Sequence, residues 1–417
     1  MLSLSQQIRK AVAAHRNEMA EFTRELVRIP TQNPPGQNYH ACAEALARMI
    51  RRAGLHATIE KILPPKHTRA SANVPATPEP RYWVRATLGS GKRALYFHGH
   101  CDVVPASSPA QFQPRDRNGN IFGRGSADMK GGLVAMLYAA RVLKESHISL
   151  AGRIELAFVP DEETGGEHGT AALFESGALA PGAIGMLTAE PTGGAIWNAS
   201  RGAITLRVTV KGKSAHVGRS FRGVNAFERM LVVARALEKE KQRISARKTK
   251  FCIEPAAARR SILLLGGRTE GGTNFNAVPA ECSFTADRRI NPEENLATEK
   301  NRLLAILNRL RHRGIQMETD IFQEGDSVAV PESQPLARAL AKSIQEITLR
   351  APQFEMCPGL LETRFYAQRN IPALACGPGR LSVSHGPHEF VSLREMEHCA
   401  AVYALTAAKL FAGEDET

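Results

Sequence analysis

The stretch Arg93-Ala94-Leu95-Tyr96-Phe97-His98-Gly99-His100-Cys101-Asp102-Val103-Val104-Pro105 decides how this chain is read. Arg93 to Phe97 is an apolar run of strand length, and it leads into a turn carrying an imidazole and a carboxylate two residues apart. A second apolar run, Arg153–Val159 (RIELAFV), enters Pro160-Asp161-Glu162-Glu163-Thr164 in the same manner. Between them, Gly123-Arg124-Gly125-Ser126-Ala127-Asp128-Met129-Lys130-Gly131-Gly132 places Asp128 on Gly-rich backbone, just ahead of a helix predicted over Gly131–Glu145. The positive end of that helix points at the carboxylates. Chemistry-bearing side chains at strand ends, facing one crevice, are what an open α/β sheet offers.

Working outward, helical and strand periods alternate from about Ser5 to Val159. The N-terminal MLSLSQQIRKAVAAHRNEMAEF reads as an amphipathic helix. A helix through Phe22–Arg28 ends at the Pro-, Asn- and Gly-rich loop Pro30–Gln37, and Tyr39–Ala53 is a helix closed by Gly54. Pro64–Pro80 has the composition of an exposed excursion. The alternation predicts an α/β fold with a doubly wound, mainly parallel sheet.

The pattern changes near Arg201. Strands are predicted at Ala203–Val210, Ser261–Leu265, Val278–Ala286 and around Gln316–Ile321, with helices at Val224–Ala236 and Asn295–Arg311. This β-α-β-β-α-β order describes an inserted ferredoxin-like α+β unit. The first style then returns with the helix Leu336–Ile347 and the strand Ala373–Ala375. The expected organisation is a catalytic domain in two parts, 1–200 and 327–417, interrupted by a lid at 201–326.

At 417 residues the chain exceeds one comfortable core. Its seven cysteines are scattered and include no C-x-x-C pair, so neither a zinc ribbon nor a disulfide framework is indicated, and a cytoplasmic setting fits. The N-terminus lacks a signal-peptide core, and no run approaches the ~20 apolar residues that span a bilayer. The net charge of +13 invites a nucleic-acid partner. Much of it, however, lies in Glu238–Lys250 and Arg302–Arg313, which read as solvated helix faces, and no aromatic-rich basic platform accompanies it. Neither nucleic acid nor membrane is expected as a partner.

Taken singly, the candidate site residues have plain explanations. His100 and Asp102 fit a solvent-facing histidine beside a turn aspartate, Asp128 fits a helix N-cap, and Glu162-Glu163 fits a polar surface turn. Glu190, in Ala189-Glu190-Pro191-Thr192, fits a turn before proline, and Ser384-His385-Gly386-Pro387-His388-Glu389 offers two competing imidazoles. Together they make a set suited to holding two divalent metals and activating a water between them.

The segments GHCDVVP, GRGSADMKGG, PDEETGG, AEPT and SHGPHEFV resemble, in order, the motifs of the M20 metallopeptidases, a group including acetylornithine deacetylase, succinyl-diaminopimelate desuccinylase, aminoacylase-1 and glutamate carboxypeptidases. The resemblance implies that Asp128 bridges two zinc ions, with Co2+ or Mn2+ able to substitute. His100 and Glu190 would complete the first site, Glu163 and His385 the second. Glu162 would be the general base and Asp102 the residue that orients His100. The His-x-x-x-Glu spacing to Glu389 favours His385 over His388.

Two further features match. Gly212-Lys213-Ser214-Ala215-His216 resembles the motif of the lid histidine, which in dimeric members reaches the partner's site to stabilise the oxyanion. Asn276 and Arg289 resemble residues that bind the substrate carboxylate, as does Arg364 in Gly359-Leu360-Leu361-Glu362-Thr363-Arg364, where the family has Gly-x-Thr-Asp-x-Arg. Ser220 replaces a common proline, and the flanking Arg219 and Arg222 read as solvated surface. The expectation is a homodimeric, cytoplasmic, dizinc amidohydrolase acting on a small N-acyl amino acid. An exopeptidase or dipeptidase of the same family is one rival, and a catalytically silent homologue that binds a ligand or partner is the rival of a different functional class.

Overall fold

A computed structural model describes residues 2–64 and 79–412. The excursion predicted at Pro64–Pro80 therefore falls almost entirely outside the described residues.

The strand predicted from Arg93 is Ala94–His100, and all of its residues are buried. Burial of consecutive residues marks a strand covered on both faces. It pairs in parallel with Arg153–Val159 on one side and Ala183–Thr188 on the other, and Ala373–Ala375 extends the parallel set. These four strands are the centre of a nine-stranded sheet. Its flanks depart from the expected parallel pattern. Ala57–Lys61, Tyr82–Gly89 and Arg153–Val159 pair antiparallel on one side. On the other, Ile196–Ser200 lies antiparallel to Ala373–Ala375 and Val328–Ala329, and parallel to Phe354–Cys357. The sheet is mixed, with a parallel centre formed by the strands that end at the site and one further parallel pair at its flank.

Leu95, Phe97, Leu156 and Phe158 pack into a core shared with the helices Tyr39–Arg52, Gly131–Glu145, Pro335–Thr348 and Leu393–Phe411. The helix Gly131–Glu145 is buried almost all round, which explains why its sequence is apolar on every face. On the opposite face, Tyr96, Val159 and Met186 meet the short helices Ala172–Glu175 and Thr363–Ala367. The N-terminal helix divides in two, Leu4–Ala14 and Arg16–Val27, where His15 leaves helical geometry at φ −98° and ψ 5°.

Between Gly202 and Gly325 the chain forms a second, four-stranded antiparallel sheet. Its order is Ile262–Gly271, Glu281–Ile290, Gly202–Lys211, Met317–Gly325. The strand Gly202–Lys211 alternates buried and half-buried residues. Its inner face, with Leu206, Val208 and Val210, packs under the helices Ala226–Ser245 and Leu296–His312. The strand predicted at Val278–Ala286 is divided. Pro279, which has no N–H for a ladder, separates Ala277–Val278 from Glu281–Ile290, and the short piece pairs instead with Ala215–His216.

Candidate functional site

The ends of the parallel strands and the turns behind them converge on one cluster. His100 closes its strand, Glu162 and Glu163 follow Arg153–Val159, Glu190 follows Ala183–Thr188, and His385 follows Ala373–Ala375 after a longer loop. Asp128 sits at the foot of the Gly131–Glu145 helix in a turn whose backbone there is extended (φ −123°, ψ 92°).

Asp128 divides its carboxylate between two groups. Its Oδ1 lies 3.2 Å from His100 Nε2 and its Oδ2 lies 3.3 Å from His385 Nε2. His100 Nε2 is also 3.9 Å from Glu190 Oε1, and His385 Nε2 is 3.4 Å from Glu163 Oε1. The result is two triads, His100–Asp128–Glu190 and Asp128–Glu163–His385, sharing one aspartate. In each, the candidate donor atoms lie within 4.8 Å of one another. The first is buried, whereas His385 is exposed.

Burial, then the neighbouring Asp128, pushes Glu190 up to about 8. Burial also raises Glu163, and with Glu190 and Glu163 nearby it raises Glu162 well above the usual range. Burial acts on Asp128 too, but hydrogen bonds with His100 and His385 outweigh it and hold that carboxyl low. The same contacts, with Asp128 first and Glu163 next, lift His385 to about 10. Four carboxylates facing two imidazoles carry a negative excess that two divalent cations would neutralise. Hard oxygen and borderline nitrogen donors suit zinc and its neighbours. The residues present therefore fit two metals.

Several buried contacts hold the cluster in place. Asp102, fully buried, accepts hydrogen bonds from the backbone N–H groups of Glu162 (3.2 Å, Oδ1) and Glu163 (3.1 Å, Oδ2) and from Asn33 Nδ2 (2.9 Å). Its Oδ1 is 3.4 Å and its backbone oxygen 3.0 Å from His100 Nδ1, which leaves Nε2 of that ring to face Asp128. Asp102 thus contacts both His100 and the backbone of the Glu162–Glu163 turn. From the opposite side Glu389 accepts from the backbone N–H groups of Ala127 and Asp128, both at 3.1 Å. Arg124 links Glu389 (2.6 Å) to the backbone oxygen of His385 (2.9 Å). Glycine is required at 377 because a Cβ there would stand 2.2 Å from Ala189 O and 2.4 Å from Glu190 O.

The remaining expected residues are placed differently. His216 and Asn276 come together at the two-stranded antiparallel pair Ala215–His216/Ala277–Val278, where Val217 N donates to Asn276 O. His216 is exposed, and its Nδ1 accepts from Gly218 N. Arg289 is half-buried beside Asp287 (2.9 Å), on the face of the four-stranded sheet away from its helices. Gln323, from the same sheet, approaches the Glu162–Glu163 turn, since a Cβ at Gly165 would lie 3.8 Å from its Nε2. Arg219 and Arg222 are exposed, in line with the surface reading.

Arg364 departs from expectation. It is buried, with Nη1 on Leu361 O (2.8 Å), Nη2 on Gly165 O, and its guanidinium stacked 4.0 Å from the Phe365 ring centroid. It is committed to the turn behind Glu163 instead of lying open to a carboxylate. Arg201 is fully buried, donates through Nη2 to Ala258 O and Arg260 O, and leaves Nε and Nη1 without partners. After burial, Arg289 is the strongest influence lowering its pKa, so the two cations are neighbours.

Residues 96–409 match the family described as Peptidase family M20/M25/M40. The chain belongs to this family. It is 28% identical over 338 residues to a probable succinyl-diaminopimelate desuccinylase of Staphylococcus epidermidis, covering 73% of this chain and 80% of the relative. Aminoacylase-1 of Sus scrofa is 29% identical over 399 residues, covering 90% and 91%. Human carnosine dipeptidase 1 shares the fold with a TM-score of 0.75 at 16% identity, over 99% and 100% of the two chains. The M20 chain is an enzyme that hydrolyses C–N bonds. All seven of its cysteines are free, and no helix among the described residues is long and apolar enough to cross a membrane.

Proposed function

We propose that this M20 protein is a dizinc amidohydrolase that cleaves the amide bond of an N-acyl amino acid, releasing a carboxylate and the free amino acid. The observation that carries this reading is the division of Asp128 between His100 and His385, with Glu162 left over as a carboxylate belonging to neither triad. Zinc bound by His100, Asp128 and Glu190, and by Asp128, Glu163 and His385, would supply Lewis acidity and lower the pKa of a water. Glu162, whose carboxylate burial makes more basic than usual, would accept a proton from the attacking water and pass it to the leaving amine. Asp102 keeps Glu162 in place through its backbone N–H. Arg289, Asn276 and the unsatisfied N–H groups of Arg201 hold the free carboxylate and so place the scissile bond.

The unit at 201–326 acts in this reading as a lid and dimerisation module on a catalytic domain formed by 1–200 and 327–417. Eight of the thirteen exposed large apolar side chains among the described residues belong to it: Val217, Phe221, Phe227, Leu231, Val232, Ile262, Leu264 and Phe275. Its edge strand Ile262–Gly271 has an open side. A homodimer would cover both features, and His216 would then serve the partner's site as an oxyanion donor. The free cysteines support a cytoplasmic location.

The test is hydrolysis of N-acetyl, N-succinyl and longer N-acyl amino acids and of dipeptides by zinc-loaded protein, read by mass spectrometry. Cleavage of acyl amino acids is the expected result. Cleavage of dipeptides alone would make the protein a dipeptidase, and no turnover on any member would overturn the proposal.

A further inference from the structure

The turn that carries Glu162 and Glu163 leaves its strand through a sharp corner at Asp161. The backbone there is left-handed, with φ 84° and ψ 6°. Such geometry costs free energy in any residue but glycine, least in Asp or Asn, and it persists where the surroundings over-determine it. Asp102 holds the middle of the turn, and Arg364 holds its far end at Gly165 O. The corner itself has a separate brace.

That brace comes from the flank of the sheet. Tyr82–Gly89 runs antiparallel to Arg153–Val159, with Val84 opposite Phe158. Continued past the strand ends, the same register sets Arg81 opposite Asp161. The Arg81 backbone is fixed there by Ile62 N, which donates to Arg81 O at 2.8 Å. Arg81 Nε donates to Asp161 Oδ1 at 2.9 Å, and Nη2 lies 2.8 Å from the same oxygen. Both residues are buried, at 6% and 1% exposure. Asp161 Oδ2 accepts from His168 N (2.8 Å) and its backbone oxygen from Gly166 N (2.7 Å), so this one residue closes the segment 161–168 on itself. Asn33 Nδ2 joins the two braces, 2.9 Å from Asp102 Oδ2 and 3.4 Å from Asp161 Oδ1.

Desolvation offsets much of the attraction in a buried ion pair, so stability alone is a weak reason for one. Geometry is the stronger reason here. Two charge-assisted contacts on one carboxylate oxygen fix the Asp161 side chain, and with it the direction in which the chain enters Glu162. We infer that Arg81 is a positioning residue: acting through Asp161, it holds the corner that aims Glu162. The inference rests on the hydrolytic reading only in calling Glu162 the base; the brace on the turn stands apart from it.

The test is a double-mutant cycle of wild type, R81M, D161N and R81M/D161N, all zinc-loaded, with R81K beside them. Asn accepts left-handed geometry, and the double variant leaves neither charge of the pair buried alone, so the cycle stays readable where R81M by itself is weakened. Three quantities are read: kcat and KM on N-acyl amino acids and dipeptides, zinc per chain, and amide hydrogen exchange of segment 161–168. Displacing a catalytic group by about 1 Å costs about 10^2-fold, so R81M should lower kcat by that factor, with KM changed less than about threefold and zinc unchanged. Exchange should quicken in 161–168 and not in Ala94–His100. In the D161N background the same substitution should lower kcat less than about threefold, and R81K should recover part of the loss. Wild-type kcat in R81M, an equal loss in both backgrounds, or loss of zinc in step with activity would overturn the inference. If the wild type cleaves no member of the panel, the hydrolytic reading fails separately and exchange decides. Faster exchange of 161–168 in R81M then upholds the brace, and unchanged exchange overturns it.

Discussion

Asp102→Asn exchanges one oxygen for an amino group and leaves the side-chain shape unchanged, so it probes how the Glu162–Glu163 turn is held. The carboxylate accepts on both oxygens: Oδ1 faces Glu162 N and His100 Nδ1, and Oδ2 faces Asn33 Nδ2 and Glu163 N. Either orientation of the new amide turns an NH2 group towards two donors and removes two acceptor contacts. Hydrogen bonds to a charged group contribute roughly 1.5–3 kcal/mol each, so the loss is on the order of 3–6 kcal/mol. If it falls on the placement of Glu162, kcat/KM drops by about 10^2 to 10^4. His100 keeps the backbone oxygen of residue 102 as a partner at 3.0 Å, so metal content should fall much less than turnover. Steady-state kinetics beside elemental analysis of the same preparation separate the two. Wild-type kcat/KM in the variant, or loss of metal in step with activity, would refute the claim that Asp102 acts mainly on the catalytic turn.

Gly377→Ala should reduce zinc from about two per chain towards one, because its Cβ meets Ala189 O and Glu190 O and displaces a ligand of the first triad; elemental analysis checks it, with an expected destabilisation of ~2–3 kcal/mol in denaturant unfolding. Glu155→Gln tests a buried charge away from the site. Burial opposes its ionisation, but Arg85, Arg153 and Thr87 hold the Glu155 carboxyl below its ordinary range. A lowered folded-state pKa stabilises above the unfolded value and is lost as pH falls through the folded one. The variant should therefore be less stable by about 3 kcal/mol at neutral pH, and the difference should begin to shrink as pH falls below about 4 and disappear only below the lowered folded-state value; a pH-independent difference in thermal or denaturant unfolding would contradict this. F221D/F275D should convert the proposed dimer to a monomer in light scattering, since both side chains are at least 80% exposed in the single chain.

How legible each feature was in the sequence depends on how local its signal is. The Gly131–Glu145 helix and the Ala373–Ala375 strand lie where the apolar pattern places them, because nearly all of their residues are buried. Antiparallel flanks were hidden, since strand direction depends on connections and not on the composition of Tyr82–Gly89 or Ile196–Ser200. Pro279 was visible, but its division of one strand into two depends on a partner strand, Ala215–His216, about sixty residues earlier in sequence. The strand-end residues His100, Asp128, Glu162, Glu163, Glu190 and His385 could be read as a set because each adjoins a glycine or proline turn. Asn33 supports that set across a long sequence separation without a motif of its own, and Arg124, although inside the GRGSADMKGG segment, acts through contacts to Glu389 and His385 far along the chain. For Arg364 the motif was legible and the direction of the guanidinium was not: a contact to Gly165 O, far away in sequence, decides it.

The central claim is that Asp128 serves two metals while Glu162 serves the proton. Zinc should be counted per chain, together with amide turnover, in the wild type, Glu162→Ala and Asp128→Ala. The account predicts two zinc ions in the wild type and in Glu162→Ala, turnover lowered at least about 10^3-fold in Glu162→Ala, and loss of both metals and activity in Asp128→Ala. Full turnover in Glu162→Ala, or two tightly held zinc ions in Asp128→Ala, would contradict it.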